Sequence, residues 1–233
     1  MSDNMEEFNW WHSINLPDGR ITPGFKNPGL MHSEIQQTFG PLDIKGKAVL
    51  DVGASSGGFS IEAFRQGATR VVAVDHVAEE IINGSAFSQD DHCYRKALLS
   101  NTKAIEFAAR ECGVPLEIVD LDIDLPNVSF KHLGEFDITL FLGIFYHLVD
   151  PIAALRAACA VTNEAIVVET YLEEGGDKPM MVFYPNEELN DDPTNWWGPN
   201  PLAVEALLKN FGFKRVVYCK KWPGRGIFHA WRE

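Results

Sequence analysis

Val49-Leu-Asp-Val-Gly-Ala-Ser-Ser-Gly-Gly-Phe-Ser60 (VLDVGASSGGFS) decides the fold of this chain. The run Lys47–Val52 is short and apolar, the mark of a strand buried on both faces. A glycine-bearing turn follows, and Gly57–Gln66 has a helical pattern closed by Gly67. Gly53 permits the tight turn, and Gly57 lets a ligand approach the backbone. The helix start offers N–H groups and a positive partial charge to an anion.

The same rhythm continues outward. Arg70–Val74 reads as a second strand, ending at Asp75, 18 residues after Gly57. Helical patterns near 78–87 and over Lys96–Cys112 precede a third strand, Leu116–Leu121. Phe136–Leu142 is a fourth strand, Pro151–Val161 a helix opened by its proline, and Glu164–Thr170 a fifth strand. A long insertion spans 172–199. Pro201–Phe211 is then a helix, and Phe213–Cys219 and Ile227–Trp231 are strands turned back to back at Trp222-Pro-Gly224. Alternation of this kind implies a mostly parallel sheet with helices on both faces, and the last two strands form an antiparallel edge hairpin. Upstream, residues 31–40 suit a short helix stopped at Gly40-Pro41. Residues 1–30, rich in Pro, Gly and Trp, form an extension that packs on something. The domain reading is residues 1–40 as extension and helix, joining an active-site cover, and 41–233 as the catalytic domain with a second cover piece at 172–199.

Composition narrows the function. At 45% hydrophobic and 11% aromatic residues, 233 residues build a sizeable core. The formal net charge is −13, from 33 acidic and 20 basic residues, and no Lys/Arg run occurs. A phosphate-tracking surface needs such a run, so acidity argues for a small neutral or cationic partner. Lys220-Lys221, with Arg215 and Arg225, reads as a solvated strand end. Cys93, Cys112, Cys159 and Cys219 are isolated, which reads as buried free thiols in a reducing cytoplasm. No apolar run reaches a membrane span, and no spaced ligand motif calls for a metal.

The turn narrows it further. From Gly53 the pattern is GASSGG, with Ser55 where a dinucleotide fingerprint has its second glycine, and GK[ST] is absent. Asp51 suits a cationic amine better than a pyrophosphate, and Asp75, beside His76, sits where an acid accepts ribose hydroxyl protons. After strand three, Asp122 or Asp124 could accept an adenine amino group while Leu121 and Ile123 sandwich the ring. After strand four comes Leu142-Gly143-Ile-Phe-Tyr-His-Leu-Val-Asp-Pro151. Tyr146 and His147 are its polar rings, and a neutral histidine can take a proton from a hydroxyl. Glu169 ends strand five at the same rim, where it orients a substrate or caps a neighbour.

D-x-G-x-x-x-G with a strand-end Asp75 resembles motif I of the class I S-adenosylmethionine (SAM) methyltransferases. Trp11-His-Ser-Ile14, Asp18-Gly19, Thr22-Pro-Gly24, FLGIFYHLVDP and VFYPNEELNDDPTNWWGPN extend the likeness. Together with VLDVGASSGGFSIEA they resemble the methyltransferases related to the tRNA wobble-uridine (5-hydroxyuridine) O-methyl and carboxymethyl transferases, over about residues 10–215. The resemblance implies a Rossmann-like seven-strand fold and methyl transfer to an acceptor oxygen. Carried over, Gly53, Ala54, Gly57 and Asp75 match the family's SAM contacts, and Asp51, Ser55, His76, Asp122, Ile123, Leu142 and Gly143 complete the expected cofactor set. Tyr146 matches the tyrosine near the transferred group, but an arginine-rich stretch that follows in the carboxymethylating relatives is Leu148-Val-Asp150 here. The expected activity is therefore methylation of a hydroxyl on a small molecule such as a sugar or nucleoside. His147 or His12 takes the proton, and Tyr146 positions the acceptor. The alternatives are tRNA wobble-uridine modification and a non-catalytic SAM-binding protein. Trp11, Glu169, Tyr184, Asn195, Trp196 and Trp197 are the expected acceptor contacts, with Trp10–His12 and the NDDPTNWWGPN loop meeting as a cover.

Overall fold

The computed structural model describes residues 5–8, 10–76, 102–221 and 224–233. The helix expected near 78–87, the start of the one expected from Lys96, and Cys93 lie outside the described residues. The chain forms two compact units, Met1–Asp122 and Ile123–Glu233, and its main strands make up one seven-stranded, mostly parallel sheet.

In the first unit, α1 (Pro28–Phe39) precedes β1 (Ala48–Val52), α2 (Gly58–Arg65), β2 (Arg70–Asp75), α3 (Thr102–Cys112) and β3 (Glu117–Asp120). β2 lies between β1 and β3 and pairs with both in parallel, with Leu50 opposite Val72 and Asp75 opposite Asp120. Val49, Leu50, Val52 and Val71–Val74 are buried, as an apolar run covered on both faces requires. Helix α1 starts earlier than its apolar pattern suggests. Asn27 caps it by accepting from Leu30 N–H, and Pro28 occupies a first-turn position whose N–H has no helical partner anyway.

Residues upstream of α1 pack on this unit. Trp10, Ile14 and Leu16 are buried with Ile61 of α2 and Ala104, Phe107 and Ala108 of α3. The Trp10 indole meets Phe107 edge-on at 5.8 Å and donates its N–H to Met5 O.

In the second unit, β4 (Phe136–Leu142), α4 (Pro151–Cys159) and β5 (Thr162–Tyr171) are followed by β6 (Met181–Phe183) and β7 (Trp197–Pro199). Then come α5 (Pro201–Asn210), β8 (Arg215–Lys220) and β9 (Arg225–Trp231). β4 and β5 run parallel, β9 pairs antiparallel with β5, and β8 lies antiparallel to β9 at the edge. That is the expected edge hairpin. The insertion is more regular than expected: β6 and β7 pair antiparallel inside it, Phe183 opposite Trp197. Of the described cysteines only Cys159 is fully buried. Cys112 is half-buried and Cys219, on edge strand β8, is exposed, which corrects the reading of all as buried thiols. Among the described residues no helix is long and apolar enough to cross a membrane, and no His/Cys/Asp/Glu group could hold a metal.

Candidate active site

The first cluster is the turn after β1. Gly53 N–H and Ala54 N–H both donate to Val74 O, at 2.8 and 3.0 Å, which folds the turn onto β2. Gly57 has φ +80°, a conformation only glycine adopts at little cost, and Ser55 also sits at positive φ. Asp75 Oδ2 accepts from Ser55 N–H at 2.5 Å and Oδ1 from His76 N–H at 2.8 Å, so strand two holds the turn in shape. The His76 ring lies 2.9 Å from Asp120. Asp51 is buried, accepts from Ser60 Oγ at 2.6 Å, and is pushed up to about 6 by burial. Burial raises Asp75 to about 7, with Asp51 and Asp120 adding repulsion.

Helix α2 has no side-chain cap of its own. His12 supplies one: its Nδ1 accepts from Gly58 N–H at 3.2 Å, and its backbone N–H donates to Ser56 Oγ at 2.9 Å. A Cβ on Gly58 would stand 2.8 Å from His12 Cβ, so this contact needs glycine. The ring is fully buried, edge-on to Phe59, and its pKa lies well below the usual imidazole value through burial and Lys26. An Nδ1 that accepts leaves the proton on Nε2, so neither nitrogen offers a lone pair. His12 therefore acts here as a helix cap, and one N–H expected to face an anion is spent on it. Trp11, expected to line the acceptor, stacks on Phe25 at 4.8 Å and is 46% exposed.

The second cluster follows β4. Gly143, at φ +71°, donates to Glu169 O on β5, and the turn then presents Tyr146 and His147, whose rings lie 4.1 Å apart. Leu142 pairs with Glu169 across β4 and β5. Arg225, at the start of β9, binds Glu169 with two parallel bonds of 2.7 Å and donates to Tyr146 Oη at 3.0 Å. Its guanidinium also lies over the Tyr146 ring at 4.8 Å. Lys221 Nζ lies 3.6 Å from Glu169. This corrects the solvated reading of the basic strand end: Arg225 and Lys221 neutralise a buried carboxylate. Glu169 caps a neighbour, the second of its two expected roles. Because Tyr146 Oη accepts from Arg225, its own proton is free for another acceptor.

Sequence reading missed Arg225, though a signal exists. Ile227 pairs with Glu169, so Arg225 is its diagonal neighbour across the antiparallel strands. A buried strand-end acid demands such a cation.

The insertion closes on this turn. His147 Nδ1 lies 2.8 Å from Thr194 O, and Trp196 N–H donates to Tyr146 O at 2.7 Å. A carbonyl can only accept, so Nδ1 carries the proton and Nε2 the lone pair. Burial pushes His147 down to about 4, so the ring is neutral at pH 7. Asn195, between those two bonds, is buried, gives its Nδ2 to Leu189 O, and finds no protein donor for Oδ1 among the described residues. Trp196 gives its Nε1 to Pro193 O. Trp197 packs on Phe183 at 5.0 Å, and its Nε1 has no partner among the described residues. Tyr184 donates to Glu173, and its backbone N–H to Trp196 O. Asp124 ties Val149 N–H and Asp150 N–H at the start of α4, whereas Asp122 and Ile123 are half-buried. Arg225, Glu173, Glu174 and Tyr218 line an open cavity of about 210 Å³.

Known proteins give the family and the fold of this chain. The family model of the FtsJ-like methyltransferases matches residues 32–173. A tRNA U34 carboxymethyltransferase of Pseudomonas fluorescens (strain Pf0-1) is 30% identical over 177 residues, 75% of this chain and 48% of that protein. Its counterpart in Pseudomonas putida (strain W619) is 29% identical over the same shares. The chain thus spans about half the length of the curated relatives it matches. Among solved structures, the N-terminal domain of EvdMO1, crystallised in the presence of S-adenosylhomocysteine (SAH) and D-fucose, aligns with TM-score 0.61 at 18% identity. That alignment covers 97% of this chain and 92% of that one. The magnesium protoporphyrin IX methyltransferase of Synechocystis, with SAM bound, aligns with TM-score 0.51 at 16% identity, covering 88% and 79%. These likenesses show the Rossmann-like methyltransferase fold.

The residues of the first cluster fit this cofactor. Asp51 and Asp75 are carboxylates raised by burial. A cationic amine and a ribose diol supply the positive charge and the O–H donors that lower that cost. The family's matched span runs from α1 through β5, more than half of the chain. Motif, sheet and family model therefore agree: the chain belongs to the FtsJ-like methyltransferase family, related to the tRNA U34 carboxymethyltransferases, with S-adenosyl-L-methionine as its cofactor.

Proposed function

We propose that this chain methylates a hydroxyl oxygen of a small molecule, a sugar, nucleoside or similar metabolite. SAM supplies a methyl group already activated on a sulfonium. The protein aligns the acceptor and removes its proton. As the acceptor oxygen bonds to the methyl carbon, the sulfur–carbon bond breaks and its electron pair stays on sulfur. The oxygen then becomes strongly acidic, so even a weak base suffices to take its proton. His147 Nε2 receives it, held by the Nδ1–Thr194 bond, the observation that carries this reading. Tyr146 donates its free proton to the acceptor and positions it. Asn195 Oδ1 accepts a second acceptor hydroxyl, and Trp196, Trp197 and Tyr184 are the proposed aromatic contacts.

One observation favours methyl over carboxymethyl, and another favours a small acceptor over tRNA. A carboxymethyl group carries a carboxylate that needs a cation, and the Arg225 guanidinium is already engaged, by Glu169 through Nε and Nη2 and by Tyr146 through Nη1. The net charge of −13 supports a small acceptor over tRNA. The relatives' names favour the tRNA reading, and steeply salt-dependent tRNA binding would support it.

The test is mass spectrometry of a metabolite extract incubated with methyl-labelled SAM. One labelled methyl on a hydroxyl compound is the expected result; label on tRNA alone would replace this reading with the other. Asp75→Ala is expected to weaken SAM binding by roughly 10- to 150-fold, since a hydrogen bond to a charged group is worth about 1.5–3 kcal/mol. Calorimetry checks this, and unchanged affinity would refute the ribose role.

A further inference from the structure

The His147–Thr194 bond has a second support behind it. Asp192 Oδ1 accepts from both Thr194 N–H at 2.9 Å and Thr194 Oγ1–H at 2.6 Å. Asp192 O also accepts from Asn195 N–H at 3.1 Å. One residue therefore holds the peptide whose carbonyl takes the His147 proton. Thr194 is 5% exposed, so its carbonyl has little room to turn once those bonds form. Loss of the two bonds to Asp192 Oδ1 leaves only the backbone bond to Asn195 and loosens the Thr194 peptide, and with it the acceptor that keeps the imidazole proton on Nδ1.

We propose that Asp192 is a positioning residue: by bracing Thr194 it keeps the His147 proton on Nδ1 and the lone pair on Nε2. The assignment deepens the proposed methyl transfer and rests on His147 being its base. The charged groups facing His147 are Asp192, Glu169 and Arg225, and the first two favour its protonation while the third opposes it. A charge effect and a bracing effect therefore have to be separated.

Two variants do so. Asp192→Asn keeps an oxygen that accepts both Thr194 bonds but removes the charge, whereas Asp192→Ala removes both. The readout is long-range nitrogen–proton correlation on histidine-labelled protein at pH 7, with His147 assigned by His147→Gln. Wild type and Asp192→Asn are expected to show Nδ1 protonated and Nε2 bare. Asp192→Ala is expected to shift toward the Nε2–H form that free neutral imidazole prefers. A wild-type tautomer in Asp192→Ala would overturn the proposal, as would a shifted one in Asp192→Asn, because bracing would then not be the cause. Thermal unfolding of both variants guards against global loss of structure, and Thr194→Val, which deletes only the hydroxyl bond, should shift the tautomer partway. Methyl transfer by His147→Gln is scored separately. Full activity there would remove the base role of His147 without touching the tautomer result.

Discussion

His147→Ala is expected to lower methyl transfer by about 10²- to 10⁴-fold, the usual worth of a positioned base. SAM affinity should stay within about twofold, because the ring lies in the turn after β4 and the carboxylates proposed to hold the cofactor, Asp51 and Asp75, lie on β1 and β2. The pH profile gives a second reading. The base must be unprotonated to act, and burial holds His147 down to about 4. The acid limb of the rate should therefore fall near pH 4 rather than near the 6.5 of free imidazole. Initial rates with labelled SAM across pH check both. A variant with wild-type rates would remove His147 from the chemistry, since no compensating base would be expected to match it.

Arg225→Met is expected to be strongly destabilising. The guanidinium satisfies Glu169 with two bonds and Tyr146 with a third. Removing one partner of a buried pair costs about 3–5 kcal/mol, mostly from the charge left behind. Lys221 still lies 3.6 Å from Glu169, which favours the lower end. At about 3 kcal/mol, the melting temperature should fall by roughly 6–12 °C for a chain of this size. Glu169→Gln in the same background should recover much of the loss, because it removes the orphaned charge. Calorimetric melting of the single and double variants decides this. Equal melting of wild type and Arg225→Met would mean the network contributes nothing to stability.

Much of the fold was legible because local signals agree with the tertiary solution. At Val49–Ser60 an apolar run, a positive-φ glycine and a helical period follow each other with no competing pattern. The start of α1 was misplaced because Asn27-Pro28, a capping signal, precedes any apolar residue of that helix. β6 and β7 went unseen because three-residue strands carry too little periodicity. The sequence placed Asp75 at the end of β2 and Tyr146 and His147 in the turn after β4, and the structure has them there; their roles remain proposals. The site was not legible where a side chain works through a distant partner. Arg225 is 56 residues from Glu169, and His12 is 46 from Gly58; neither pairing leaves a mark in local sequence.

The His12 cap has a consequence for cooperativity. Residues near the start of the chain and the turn that follows β1 share one hydrogen-bonded joint. Opening either one breaks these bonds, which couples the N-terminal segment to the turn after β1. A ligand that binds the ordered turn must then protect the N-terminal segment as well, by linkage rather than by touching it.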